Sequence, residues 1–158
     1  MLVVSDTTTI TNLLRIDLLS LIQKLYNQIY IPQAVYDELS RMPSQKKQID
    51  KLRWIKVKVV TDQELVSTLL EKLDAGESEA IALAVEMKAD ILIIDEWFGR
   101  NIAASYGLNI IGLFGILLGS KRRGYIKAVK PYMDDLIKSY GFRVSEALYI
   151  KVLKLAGE

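Results

Sequence analysis

The sequence predicts an α/β fold, a three-layer α/β/α sandwich with a central, mainly parallel sheet of about five strands and additional C-terminal helices. Short apolar runs that suit strands alternate along the chain with longer segments in which apolar residues recur at helical spacing. Residues 91–94 are all isoleucine or leucine, which is typical of a central parallel strand buried on both faces. The length of 158 residues suits one domain with a full core.

The predicted strands are short and mostly apolar. In the segment that begins at Trp54, apolar residues alternate with Lys56 and Lys58, which predicts a half-exposed strand at an edge of the sheet. The strands are expected at residues 2–5, 28–31, 54–60, 91–94 and 108–111.

The predicted helices lie between and after these strands. Pro32 suits the first turn of the helix that carries Val35, Leu39 and Met42, and residues 43–53 are polar and basic, which fits a loop or a surface helix. The other helices are expected at residues 7–15, 18–26, 62–73, 80–87 with an opening at 74–77, 96–106, 113–123, 131–140 and 145–155. We interpret residues 1–158 as a single domain in which 125–158 form a C-terminal helical extension.

Composition narrows the chemistry that is available to the chain. There is no histidine and no cysteine, which excludes disulfides and thiolate zinc sites. The net charge is only +2, so binding to nucleic acid has to be argued from local clusters. The longest apolar stretch, residues 108–119, is too short to span a bilayer, and the N-terminus lacks the pattern of a signal peptide. We therefore expect a cytoplasmic protein that does not bind membranes.

Two carboxylates stand at the carboxyl ends of predicted strands. Asp6 follows the first strand and Asp95 follows the fourth, each directly before a helix. In open α/β sheets, ligands bind in the crevice outside these ends, so the two side chains would lie side by side if their strands were neighbours. Each could instead cap the helix that follows it, which is a common role of aspartate.

Three glutamates are further candidates. Glu38 borders the apolar face of its helix, although taken alone it would be an ordinary solvated residue. Glu77 and Glu79 lie in the first turns of the most apolar helix, and helical periodicity does not separate them because that segment is apolar nearly all round. Asp74 and Glu77 also fit an Asp-x-x-Glu capping pair, which favours a structural role for Glu77.

A cluster of three or four carboxylates would need a cation, because like charges raise each other's pKa and a divalent ion reverses that effect. Ligation by oxygen alone suits Mg²⁺ or Mn²⁺. Such a site can activate water and stabilise charge during in-line displacement at a phosphodiester. The chemistry indicated is that of a hydrolytic nuclease that needs no histidine.

Four short motifs, in this order, resemble those of the PIN-domain family of metal-dependent ribonucleases. The resemblance extends over most of residues 1–125, and Glu79 aligns with the family's third acid. The motifs are Val4-Ser5-Asp6-Thr7-Thr8, Pro32 through Leu39, Gly76 through Ala84, and Ile91 through Phe98.

The resemblance implies an endoribonuclease with Mg²⁺ or Mn²⁺ as cofactor. Its catalytic, metal-binding acids would be Asp6, Glu38, Glu79 and Asp95. Many bacterial and archaeal members of this size resemble VapC-type toxins, which cleave RNA, pair with a small antitoxin protein and form homodimers. The segment 107–124 resembles a little-characterised PIN branch more than those toxins. The alternative is a non-catalytic module of the same fold that binds nucleic acid or protein.

Further residues are candidates for contact with RNA. Thr7 could orient a water or merely cap a helix, and Arg100 could approach either a scissile phosphate or a carboxylate. Lys121, Arg122 and Arg123 could follow phosphates, but cations at that place also complement a helix dipole. A second basic group is Lys46, Lys47, Lys51 and Arg53.

Two other enzyme classes fit less well. A phosphatase with an aspartyl nucleophile usually has a second Asp two residues after the first, where Thr8 stands. A nucleotide-binding Rossmann protein would have a glycine-rich loop after the first strand, and this chain has none.

Overall fold

A computed structural model describes residues 1–158 as five strands and ten helices. The strands are β1 Val3–Ser5, β2 Ile29–Pro32, β3 Ile55–Lys58, β4 Ile91–Ile93 and β5 Ile110–Ile111. The helices are α1 Thr7–Arg15, α2 Ser20–Tyr26, α3 Gln33–Ser40, α4 Pro43–Asp50, α5 Gln63–Leu70, α6 Ala75–Met87, α7 Trp97–Ser105, α8 Leu113–Arg122, α9 Lys130–Tyr140 and α10 Glu146–Ala156. None of the helices has the length and apolar character needed to cross a bilayer.

The five strands form one sheet in which all pairings are parallel, and the strand order is β3-β2-β1-β4-β5. The chain adds β2 and β3 on one side of β1, then returns and adds β4 and β5 on the other side. The order therefore reverses between β1 and β4, which is the topological switch point where open α/β sheets bind ligands. The predicted parallel sandwich of about five strands is confirmed.

Helix α6 packs across β1, β2 and β4. It buries Gly76, Ser78 and the whole run 80–84, in which three of the five residues are alanine. The small side chains let the helix backbone approach the sheet closely. Because the helix is apolar nearly all round, it is buried at this position. Residues of α9 and α10 also join the main core, among them Met133, Leu136 and Val152.

Three elements refine the sequence-based expectations. Pro32 ends β2 and precedes the first residue of α3 in an extended conformation (ψ 168°), instead of lying in the first turn of the helix. Residues 43–50, left open between a loop and a helix, form α4, which buries only Ile49. β3 is the predicted edge strand, and Lys56 and Lys58 are exposed on it.

Glu158 joins the last three helices. One carboxylate oxygen accepts hydrogen bonds from the Val129 amide (2.7 Å) and from Lys121 Nζ (3.0 Å), and the other accepts from the Lys130 amide (3.0 Å). α9 begins at Lys130 and has no capping side chain of its own. The Glu158 carboxylate therefore satisfies amides that the first turn of α9 would otherwise leave without an intrahelical partner.

We expect Glu158→Ala to lower the free energy of unfolding by about 1–2 kcal/mol, because it removes a charged acceptor from two amides and one lysine. Urea unfolding followed by circular dichroism measures the change. Glu71→Ala is the matched control, since Glu71 is exposed and its side chain makes no hydrogen bond in the structure. Equal stability of the two variants would show that Glu158 does not hold α8, α9 and α10 together.

Candidate functional site

Asp6 is buried at the carboxyl end of β1, with 1% of its surface exposed. It is the N-cap of α1, and its Oδ1 accepts a hydrogen bond from the Thr9 amide at 3.3 Å. Its Oδ2 is also buried and has no hydrogen-bond partner. The capping role is therefore real, but it uses only one oxygen. The other is left as a buried, unsatisfied acceptor, which native structures rarely tolerate without a reason.

Asp95 lies beside Asp6 because β1 and β4 are neighbouring strands. Thr9 connects the two acids: its amide donates to Asp6, and its hydroxyl donates to Asp95 Oδ2 at 2.8 Å. Asp95 Oδ1 accepts from the amide of Leu113, the first residue of α8, at 2.9 Å. The expected juxtaposition of two carboxylates at adjacent strand ends is confirmed.

Asp95 does not cap the helix that follows it, which was the simpler interpretation of the sequence. The N-cap of α7 is Glu96, and its side chain makes no capping hydrogen bond. Asp95 turns instead towards the start of α8, where Gly112 leaves the necessary space. A Cβ atom at Gly112 would lie 2.5 Å from Asp95 Oδ1 and 2.6 Å from Arg100 Nη1.

The pKa values of both carboxyl groups are raised. Burial raises the pKa of Asp6 to about 8, and the neighbouring charge of Asp95 adds to the effect. Burial also raises the pKa of Asp95, although the Leu113 amide, the Thr9 hydroxyl and the charge of Arg100 oppose the rise. The sequence did not decide whether Arg100 approaches a phosphate or a carboxylate. In the structure its positive charge lies beside Asp95. At neutral pH a second negative charge on the pair requires a cation.

Glu38 is linked to the aspartate pair only through Thr7. Its Oε2 accepts a hydrogen bond from the Thr7 hydroxyl, and its Oε1 accepts from the Gly76 amide at 3.0 Å. Gly76 is needed for this approach, since a Cβ atom there would come within 2.7 Å of Oε1. The Thr7 hydroxyl thus donates its hydrogen bond to Glu38 and does not cap α1.

Glu79 makes the reciprocal contact between the same two helices. Its Oε1 accepts a hydrogen bond from the Ala34 amide, in the first turn of α3, at 3.1 Å. Each of α3 and α6 therefore places a glutamate on the N-terminal amides of the other, where a negative charge is favoured. The expected four-acid cluster is not gathered in this structure, in which no three acidic side chains are grouped closely enough to hold one metal ion.

The sequence left open whether Glu77 or Glu79 is the third acid, and it favoured a capping role for Glu77. The Asp74 side chain caps α6 by accepting from the Glu77 amide at 2.8 Å, but the Glu77 carboxylate does not complete the predicted capping pair. It lies against Gly99 in α7, where a Cβ atom would come within 2.8 Å of its Oε2. The glycine one turn after Asp95 was the available sequence signal, since glycine often marks a close approach.

The ionisation of Glu77 is affected by its burial and by the acids around it, among them Asp6. Burial raises its pKa to about 8, and the protonated form is favoured further because it can donate a hydrogen bond to the Asp74 carboxylate and because Asp74, Glu96 and Asp6 are negatively charged. No N–H or O–H group in the structure donates to the Glu77 carboxylate. Glu77 is therefore a half-buried acid whose charge nothing nearby compensates.

The basic residues Lys121, Arg122 and Arg123 are not brought to this site. The Leu113 amide at the start of α8 binds Asp95, and these residues stand at the other end of the helix, about 12–15 Å away at 1.5 Å per residue. Lys121 is also engaged by Glu158 and by the Ala156 carbonyl.

In the metal-free chain we expect Asp6→Asn to be more stable than the parent at about pH 8, by on the order of a few kcal/mol, and to lose that advantage near pH 4. The folded-state pKa of Asp6 is about 8, and its ordinary value is 3.8. The folded chain thus holds this proton more tightly, so the parent loses stability as pH rises through that window.

Urea unfolding in EDTA across the window measures the difference between the two chains. Asp17→Asn is the control, because Asp17 is exposed and its positive φ of 56° suits Asn as well as Asp. A stability difference between parent and Asp6→Asn that does not change with pH would contradict the buried, protonated Asp6.

Comparison with known proteins agrees with this geometry. A family model described as a PIN domain (DUF3368) matches residues 2–158. Among curated proteins, none matches the chain significantly. PIN domains are generally nucleases, act on nucleic acids and generally use divalent metal ions. The family expected from four motifs is confirmed, and the finer assignment to VapC-type toxins stays a prediction. The chain belongs to the PIN-domain family.

Proposed function

We propose that this chain is an endoribonuclease that hydrolyses RNA phosphodiester bonds with the help of Mg²⁺ or Mn²⁺ bound at the Asp6–Asp95 pair. The observation that carries the proposal is the buried Asp6 Oδ2, which has no hydrogen-bond partner and lies beside a second carboxylate at the switch point of the sheet. RNA is the substrate that the four sequence motifs favour, because they resemble those of ribonucleases.

The residues at this position suit a hard divalent cation. Their donors are oxygens only, and Mg²⁺ is usually bound through one or two carboxylates while it keeps several of its waters. A third carboxylate close to one ion is therefore not required. When bound, such an ion would lower the pKa of a coordinated water and neutralise charge that develops on the phosphate.

The protein's own contribution is to hold the two carboxylates in place. Thr9 fixes their relative position, because its amide donates to Asp6 and its hydroxyl donates to Asp95 Oδ2. The Leu113 amide donates to the other Asp95 oxygen. Arg100 keeps positive charge beside Asp95, which favours the ionised form that a metal needs.

The three glutamates take different roles in this proposal. Glu77 is the third acid, since its charge is coupled to that of Asp6 and no donor engages it. Glu38 and Glu79 act as positioning residues: they clamp α3 against α6, and Glu38 also holds the Thr7 hydroxyl beside Asp6. A contact from either glutamate to the metal would pass through a water.

We expect the parent to cleave single-stranded RNA with Mn²⁺ and to lose that activity in EDTA. Asp6→Asn and Asp95→Asn should each reduce cleavage by about 100-fold or more, because substitution of residues that merely support metal ligands already costs about 10- to 100-fold. Gel analysis of end-labelled RNA measures the rates, and Asp17→Asn is the control for the change in charge. A parent that cleaves no RNA, or an Asp6→Asn variant as active as the parent, would contradict the proposal.

Glu77 and Glu79 can be separated by the dependence of cleavage on Mn²⁺ concentration. We expect Glu77→Gln to raise the Mn²⁺ concentration for half-maximal rate by about 10-fold, since it removes a charge coupled to Asp6. Glu79→Gln should leave that concentration unchanged and lower the free energy of unfolding by about 1 kcal/mol, since it weakens the clamp on α3. The reverse pattern would restore Glu79 as the third acid.

A further inference from the structure

A groove of about 980 Å³ opens at Asp95 and leads away from the aspartate pair. Its walls are α1, the start of α7, the β5–α8 turn and the turn between α9 and α10. We call it the strand groove. Residues 140–145 and Leu148 contribute to its lining. The C-terminal helices and the turn between them therefore form a wall of the groove that lies outside all four sequence motifs.

The charges along the strand groove are unevenly distributed. Asp95, Glu96 and Arg100 stand at the end next to the aspartate pair, and Arg15 and Arg143 are the remaining charged lining residues. Arg15 ends α1, about 13 Å along that helix from Asp6 at 1.5 Å per residue. The groove therefore has an acidic end suited to a cation and two arginines suited to an anion.

Neither Arg15 nor Arg143 is neutralised by the protein. All three ion pairs in the structure use lysine. The Arg15 guanidinium bonds only to the Asn12 side chain and lies over the ring of Tyr140, 5.6 Å from its centroid. The Arg143 side chain is exposed and makes no hydrogen bond. Exposed guanidinium groups of this kind favour phosphate.

Aromatic side chains line the same groove. Trp97 lies two residues after Asp95 and is 76% exposed, so the fold does not use it as a core residue. Tyr140 is 43% exposed, and Phe142 packs edge-on against Phe114 with ring centroids 5.5 Å apart. Exposed aromatics beside unpaired arginines are the features with which proteins bind single strands, because unstacked bases can lie on aromatic rings.

We propose that the strand groove binds the single-stranded RNA segment on one side of the scissile phosphate. Arg15 and Arg143 contact backbone phosphates, and Trp97 stacks on a base close to the cleaved bond. This inference rests on the proposed nuclease function, which it extends from the reacting bond to the substrate that flanks it. A duplex is disfavoured because its bases are stacked on one another and are unavailable to Trp97.

Binding of a fluorescein-labelled oligouridylate to the intact chain in EDTA tests the groove without cleavage. Trp97→Ala is expected to weaken binding by about 10-fold, and Arg143→Gln should weaken it several-fold and reduce the salt slope by about one. Arg41→Gln is the matched control, since Arg41 is exposed and lies outside the groove. Both test residues are exposed, so their variants should unfold like the parent.

Tryptophan fluorescence provides an independent readout of stacking. The chain has two tryptophans, Trp54 and Trp97, so in a Trp54→Phe background the emission comes from Trp97 alone. Oligouridylate should quench this emission, whereas an abasic strand of the same length should bind without quenching it. Parent-like affinity of Trp97→Ala and Arg143→Gln, absence of quenching, or absence of binding by the parent would overturn the proposal. So would binding of an acidic peptide in preference to RNA.

The two proposals fail separately. Metal-dependent cleavage that Asp6→Asn abolishes, together with unchanged binding by the groove variants, would overturn the strand groove and leave the nuclease standing. Binding and quenching as expected, without cleavage in Mn²⁺, would leave the groove standing as a site for single strands and overturn the nuclease.

Discussion

The parallel pairing of β1 with β4 is the constraint on which the rest of the site depends. Ser5 is in register with Ile93, and the Asp6 amide donates to the Ile93 carbonyl at 2.9 Å. This pairing forces two carboxylates to the same edge of the sheet, where burial raises the pKa of both and the charge of Asp95 raises that of Asp6 further. Such an arrangement opposes folding, and the core of 35 buried hydrophobic residues has to offset it. Raised pKa values of this kind are characteristic of functional sites.

Close packing of glycine against carboxylates shapes the surroundings of the pair. Gly76 leaves room for Glu38, Gly99 for Glu77 and Gly112 for Asp95. In each case a methyl group would meet an acid, and at Gly99 it would also meet the core residue Ile94 at 2.9 Å. These three acids are therefore positioned by the absence of side chains at the facing glycines as well as by the elements that carry them, which are α3 for Glu38, α6 for Glu77 and the end of β4 for Asp95.

Much of the fold follows from local sequence, because alternating apolar runs and amphipathic segments specify where strands and helices form. The adjacency of Asp6 and Asp95 was conditional on strand order, which is set by long-range packing and not by either segment alone. The reciprocal bonds of Glu38 and Glu79 depend on how α3 lies against α6, so periodicity could not reveal them. The choice between Glu77 and Glu79 stayed open because the Glu77 amide takes part in the cap of α6, and a residue pattern cannot show where the carboxylate of the same residue lies.

Binding of a divalent cation by the Asp6–Asp95 pair is the central claim, and calorimetric titration of Mn²⁺ at about pH 7 into the parent and Asp6→Asn tests it most directly. Each titration is repeated in two buffers that differ in ionisation enthalpy, which counts the protons released. We predict saturable binding by the parent with release of up to about one proton, since the raised pKa of Asp6 retains a proton that the metal displaces. We predict no comparable binding by Asp6→Asn. Equal Mn²⁺ affinity of the two chains would contradict a metal site at this pair.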